Sequence, residues 1–184
     1  MRKLISVIVI LFSVHASEAQ LRPLWRSELN AGIVVGEKGD YFHGTAVTGL
    51  KYRGWYSGVG AGLDMYRFKT VPLFIALNKQ FTSNPSGFYA FANGGINFPS
   101  GEVQRPDWVD SKFRPSIYTA TGLGYRVGWK NRREVLLLNA GYSFKRLKEK
   151  QTQVSPCLFP PCPETVNNYN YDMNTWIMRF GLQF

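Results

Sequence analysis

The chain has 184 residues, 22 Lys and Arg against 12 Asp and Glu, 18 glycines, two cysteines and 15 per cent aromatic side chains. That length suits one domain, and beyond the N-terminal leader no stretch stays apolar for the roughly twenty residues that a membrane helix needs. A positive balance of this size fits either nucleic acid or an anionic lipid surface, and the leader decides between them.

MRKLISVIVILFSVHASEAQ carries Arg2 and Lys3, an apolar run over residues 4–14, and small residues at Ser17 and Ala19. This is the pattern of a secretory signal peptide, residues 1–19, cleaved after Ala19 to leave a mature domain over 20–184. The run is too short to anchor the chain, and no cysteine stands near the cleavage point to accept a lipid. Without Arg2, Lys3 and Glu18 the mature chain keeps 20 cations against 11 anions. Export makes nucleic acid an unsuitable partner and anionic headgroups a natural one. If the exported chain enters a membrane, it must do so as strands.

Eight segments of alternating character follow, near residues 25–36, 44–53, 56–66, 72–81, 88–97, 116–129, 135–145 and 174–184. Between them lie EKGDYFHG, RGW, RFKTV, TSNPSG, the long NFPSGEVQRPDWVDSKFRP stretch, KNRRE and a segment of about thirty residues. With both ends of the domain on one side, the short second, fourth and sixth connections share that side. The two longest connections fall on the other, which is the asymmetry of outer-membrane barrels.

Each segment divides into two rows of period two. One row is apolar: Leu29, Ala31 and Ile33; Val59, Ala61 and Leu63; Leu73, Ile75 and Leu77; Leu136, Leu138 and Ala140; and Trp176, Met178, Phe180, Leu182 and Phe184. Lys79 is its one charge. The opposite row holds Arg26, Glu28, Asn30, Lys51, Arg53, Asp64, Asn78, Gln80, Asn93, Asn97, Arg126, Asn139, Arg179 and Gln183. Alternation alone does not say which row faces a core. The aromatics do, because Trp25, Tyr52, Phe81, Phe88, Trp129 and Phe184 all fall at strand ends on the short-turn side, as one interfacial girdle. Glycines at 58, 60, 62, 122, 124 and 128 sit in the polar row, where a narrow lumen needs space. The expectation is an all-β, eight-stranded antiparallel up-and-down transmembrane barrel with a polar interior.

The leader, the eight segments, the pair GVGAGLDMY and VPLFIALNKQF, the strand FYAFANGGINF and the terminal aromatic resemble the small outer-membrane β-barrel family common in Bacteroidetes. That family is similar in architecture to the OmpA transmembrane barrel and OmpX. The resemblance covers the whole mature chain and implies residence in the cell outer membrane. It also implies that the last strand, through Trp176, Met178, Phe180, Leu182 and Phe184, is read by the barrel assembly machinery. No peptidoglycan-binding domain is expected after Phe184, so the anchoring role of longer relatives is not expected either.

Candidate chemistry is thin. GVGAGL lacks the third glycine of a dinucleotide loop and a following helix, so lumen packing accounts for it. Cys157 and Cys162 in SPCLFPPCPET have no histidine nearby for zinc, and an exported loop favours a disulfide. His43 is the single histidine of the mature chain, read as a solvated residue of the first outer loop. As the base of a lipid A acyltransferase or deacylase it would need a nucleophile at the same rim, and none can be argued. An enzyme of that kind and a soluble lipocalin-like carrier remain the alternatives; a diffusion pore is disfavoured because side chains fill an eight-stranded interior.

No cofactor or metal is expected. The expected partners are outer-membrane lipid, lipopolysaccharide and the assembly machinery, with the barrel monomeric. Lys145, Arg146, Lys148 and Lys150, with Arg67 and Lys69, form an outer rim that can meet lipopolysaccharide phosphates. Finally, a first hairpin turning at residues 39 and 40 sets Glu28 opposite Lys51. Arg179 and Arg126 then reach the same level, and the four make a charged plug in the lumen.

Overall fold

The computed structural model describes residues 24–101, 109–129, 134–154 and 164–184. The leader, the cleavage point and both cysteines lie outside the described residues. Among the described residues nine strands are present, all paired antiparallel: β1 Leu24–Gly36, β2 Gly39–Tyr52, β3 Trp55–Asp64, β4 Thr70–Gln80, β5 Gly87–Pro99, β6 Val109–Arg114, β7 Ser116–Gly128, β8 Val135–Val154 and β9 Glu164–Gln183. Eight of them close in the order β1, β2, β3, β4, β5, β7, β8, β9 and back to β1. Closure removes the free sheet edge that would otherwise be fatal in hydrocarbon, because every backbone donor there must find a partner in the chain.

The short β6 continues the line of β7 beyond Pro115, and both pair with β8. Between the pairs Arg114↔Lys148 and Tyr118↔Lys145, this line holds three residues where β8 holds two. The surplus is a bulge, and proline, which has no N–H to give the ladder, is one of the three.

The two rows separate as expected. Leu29, Ile33, Val59, Leu63, Ile75, Leu123, Met178 and Phe180 are all exposed on the outer wall. Glu28, Asn30, Asn93, Asn139, Arg179 and Gln183 are buried within. A soluble barrel would reverse this, so the exterior is a lipid-facing surface. The girdle at the turn end is real: Trp25, Phe81, Phe88, Trp129 and Phe184 are each more than half exposed, with Tyr52 and Trp55 beside them. A second group marks the opposite end, where Tyr142 and Trp176 meet edge to face with ring centroids 5.5 Å apart and Phe42 and Phe98 are also exposed. Inside, glycine makes room for rings: a Cβ on Gly60 would lie 2.7 Å from the Phe74 ring, and one on Gly124 would lie 2.4 Å from that of Tyr89.

Three expectations need correction. First, the connection after β1 is a two-residue turn, Glu37 and Lys38, with Gly36 paired to Gly39. Gly39 adopts φ +106°, which a side chain would resist, so the hairpin closes two residues earlier than the sequence suggests. Second, the length asymmetry therefore rests on the last two connections at the loop end. Third, much of the expected thirty-residue segment is strand. β8 and β9 each run 20 residues and, with β6, rise beyond the apolar band as a three-stranded sheet. Above the band the rule inverts, because water replaces lipid outside. Arg146, Lys148 and Lys150 then share the outward parity that Leu138, Ala140 and Tyr142 have below, while Leu147 and Met173 are buried inside.

Phe184 closes the seam between first and last strands. Its N–H donates to the Ser27 carbonyl and its carbonyl accepts from the Ser27 N–H, both at 2.9 Å. Phe184→Glu places a charge on the lipid face at that seam and should reduce the amount of barrel in the membrane several-fold. Quantitative blotting of washed membranes checks this, and wild-type levels would count against the terminal aromatic acting in assembly.

Candidate functional site: a plugged lumen and its outer mouth

The lumen has two polar layers. In the layer near the turn end, Glu28 of β1 accepts hydrogen bonds from Gln183 Nε2 at 2.6 Å and from Asn78 Nδ2 at 3.4 and 3.5 Å. Arg126 donates through Nη1 to Gln80 Oε1 at 2.6 Å. Glu28, Lys51 and Arg126 line one small cavity of about 30 Å³, and Glu28 and Arg179 line another of about 10 Å³. Each has room for about one water. The four residues of the expected plug thus share the lumen, but their arrangement differs from that expected. Glu28 pairs across the hairpin with Val47, and Lys51 with Leu24, because the earlier turn shifts the register by four residues. Across the closing seam it is Gln183 that stands opposite Glu28, and Arg179 lies opposite Gly32. No ion pair joins Glu28 to a cation among the described residues. Neutral amides hold the carboxylate, and Arg179 instead stacks on Phe91, its guanidinium carbon 5.0 Å from the ring centroid.

Between the layers Tyr89 donates to Asn139 Oδ1, and Asn139 Nδ2 donates to Asn30 Oδ1 at 3.1 Å, a chain that spans the barrel from β5 through β8 to β1. Such a chain crosses the lumen and ties three strands together, which favours one register of the wall.

The second layer lies at the loop end and was not foreseen. Asp64, 1 % exposed at the end of β3, faces Lys145 of β8, 2 % exposed. Lys145 Nζ donates to Asp64 Oδ1 at 2.7 Å, to the Tyr66 carbonyl at 2.8 Å, to Thr70 Oγ1 at 3.4 Å and to the Phe68 carbonyl at 3.5 Å. Asp64 Oδ1 also accepts from the Tyr66 N–H at 2.9 Å. One buried ammonium therefore holds the connection between β3 and β4 across the mouth. Phe68, from that connection, packs against Phe113 and Tyr171 with centroids 5.3 and 5.2 Å apart, over Leu147 and Met173. Among the described residues, an aromatic cluster pinned from below thus lies over the outer mouth.

Lys145 is consequently not a rim cation, contrary to expectation. Its place in the inward row was readable, since Tyr142 and Phe144 belong to the outer row and Ser143 and Lys145 to the other. His43 is corrected as well: it is fully buried, with Nδ1 3.7 Å from Asp64 Oδ2, and it touches neither lipid nor bulk solvent. Of the expected rim, Lys148, Lys150, Arg67 and Lys69 are exposed, and Arg146 is tied to Asp172 by a two-point contact of 2.5 and 2.9 Å. Those hydrogen bonds hold the Asp172 carboxyl below the ordinary carboxylate range. The strand β6 adds two cations to that rim, Lys112 and Arg114. They stand directly opposite Lys150 and Lys148, so like charges face each other in register.

A closed antiparallel barrel of eight strands, apolar outside, polar and filled inside, with aromatic groups at both ends of its apolar band, defines the class: an integral β-barrel protein of the cell outer membrane. No protein-family profile matches the chain, and no curated protein matches it by sequence. Solved structures of similar architecture include Neisserial surface protein A, NspA, at 15 % identity with 86 % of this chain and 94 % of that one covered and a TM-score of 0.49. The outer membrane protein AlkL, studied in DMPC bilayers, shares 12 % identity over 87 % of this chain and 88 % of its own, with a TM-score of 0.48. OprG from Pseudomonas aeruginosa shares 11 % over 89 % and 97 %, with a TM-score of 0.48. The class rests on the barrel's own pairing and surface rather than on these likenesses.

Proposed function

We propose that the protein is a monomeric, non-enzymatic barrel whose work is done at the cell surface by its loop end. The observation that carries this is the pairing of a plugged lumen with a projecting three-stranded sheet. The cavities of about 30 and 10 Å³ that line the plug leave little room for a solute among the described residues, whereas a sheet raised above the bilayer presents a surface. Short connections belong to the periplasmic end and long ones to the exterior, so β6, β8 and β9 rise on the outside.

The rim cations support lipopolysaccharide as a partner. Like charges directly opposite on a sheet are unfavourable; Arg114 with Lys148 is such a pair just above the apolar band, as is Lys112 with Lys150, where Asp110, 3.2 Å from Lys112, offsets part of the repulsion. Phosphate at that height removes the repulsion. The burial of His43 speaks against lipid A chemistry, because a base must reach the proton it takes.

Thermal shifts of the detergent-solubilised barrel, with and without lipopolysaccharide, test the reading. Each lysine near an anionic surface contributes on the order of 1 kcal/mol. The Lys148→Glu Lys150→Glu variant should therefore need at least tenfold more lipopolysaccharide for the same shift. Equal titration curves for variant and wild type would remove lipopolysaccharide from the proposal. Cleavage of the leader after Ala19 and a Cys157 to Cys162 disulfide complete it. Alkylation of both thiols only after reduction is the expected result for the latter, and labelling without reductant would exclude the bridge.

A further inference from the structure

Beside the aromatic lid lies a surface pocket of about 240 Å³, lined by Arg67, Phe68, Lys69, Ser100, Gly101 and Phe113 among others. It combines two exposed cations with two half-buried aromatic faces, chemistry that neither the plug nor the lipid-facing wall requires. From this pocket we infer a binding site for one sugar ring bearing an acidic group, a hexuronate or a hexose phosphate.

Three features show a prepared site. Arg67 holds φ +58°, in the left-handed region that a non-glycine residue rarely occupies, and such backbone outliers gather at ligand sites. Its guanidinium is already stacked, 5.6 Å from the Phe68 centroid and 4.9 Å from that of Tyr171, so little order remains to be gained on binding. The floor is fixed too: the Ser100 N–H donates to the Lys69 carbonyl at 2.9 Å, and the Phe68 N–H donates to the Tyr66 carbonyl at 2.6 Å.

The ligand class follows from the lining. A bare phosphate would use the cations and leave Phe68 and Phe113 idle. A neutral sugar would stack its C–H face on the rings and leave Arg67 and Lys69 without an anion. An acidic pyranose uses both. The size agrees, since pockets for larger organic ligands run to roughly 300–1,000 Å³. The inference rests on the reading that the loop end faces the cell exterior, where such sugars occur in glycolipid cores and in free polysaccharide.

Fluorescence polarisation with labelled trigalacturonate, on the full-length barrel in detergent micelles, tests the pocket. Unlabelled galacturonate should displace the probe at concentrations at least tenfold below those needed for galactose or inorganic phosphate. Arg67→Ala and Phe113→Ala should each weaken probe binding about tenfold, and Lys79→Ala, at the turn end of the barrel, should not. Lys69→Ala, a change at an exposed side chain, should weaken it severalfold and keeps the test available where the other variants fold poorly. Equal competition by galactose or by phosphate, or unchanged binding in the Lys69 variant together with any folded one of the other two, would overturn the inference. Displacement by a lipopolysaccharide with acidic core sugars at lower concentration than by soluble polygalacturonate would identify the anchored source, and the reverse order the free one. Orientation is read separately, by labelling Lys148→Cys on intact cells, so failure of the pocket and failure of the surface reading give different results.

Discussion

Lys145→Met should lower the stability of the barrel by about 3–5 kcal/mol, the usual cost of removing one partner from a buried ion pair. The change leaves Asp64, 1 % exposed, with a carboxylate facing the Tyr66 N–H and no ammonium. It also releases the carbonyls of Tyr66 and Phe68, so the lid loses its fastening together with the charge. A marked fall in the temperature at which the folded band converts to the unfolded one on a heat-shift gel is the expected result. Asp64→Asn combined with Lys145→Met should recover part of the loss, because no lone charge then stays buried. A double variant as unstable as the single one would mean that packing of the long side chain, rather than its charge, holds the mouth.

Glu28→Ala should cost less, about 1.5–3 kcal/mol, the range for hydrogen bonds to a charged group. Gln183 and Asn78 would lose their acceptor, and the cavity shared by Lys51 and Arg126 would lose the one carboxylate that lines it. The loss should appear as a lower heat-shift midpoint without conductance. Tyr89, Asn139 and Asn30 still bridge the lumen above that point, and Lys145 still holds the lid. Planar bilayers should show no steady current from the wild type and none from the variant. A steady, ion-selective current through the wild-type protein would contradict a filled lumen.

The barrel was legible in the sequence because its physics is periodic. Lipid outside and polar groups inside impose a period of two on every strand, and the row running from Trp176 to Phe184 reads that period without interruption. Register was less legible, because it depends on where a turn closes. The first hairpin turns two residues earlier, with Gly39 at φ +106°, and this sets Val47 rather than Lys51 opposite Glu28. The upper halves of β8 and β9 were hidden by a change of surroundings. Where the wall leaves the bilayer the outward row turns from Tyr142 and Phe144 to Arg146 and Lys148, and a search for apolar alternation stops there although the strand does not. The Asp64 and Lys145 pair joins residues 81 positions apart, so only the closed barrel brings them together. The mouth pocket depends on the same closure, since it joins the connection after β3 to the end of β5 and to β6.

The central claim is that the apolar row faces lipid and the polar row fills a closed barrel. It is tested most directly by a heat-shift gel on carbonate-washed outer membranes from cells making the full chain. The account predicts that the protein stays in the membrane pellet and that its unheated band migrates differently from the boiled one. Recovery in the soluble fraction, with a single band position regardless of heating, would contradict it.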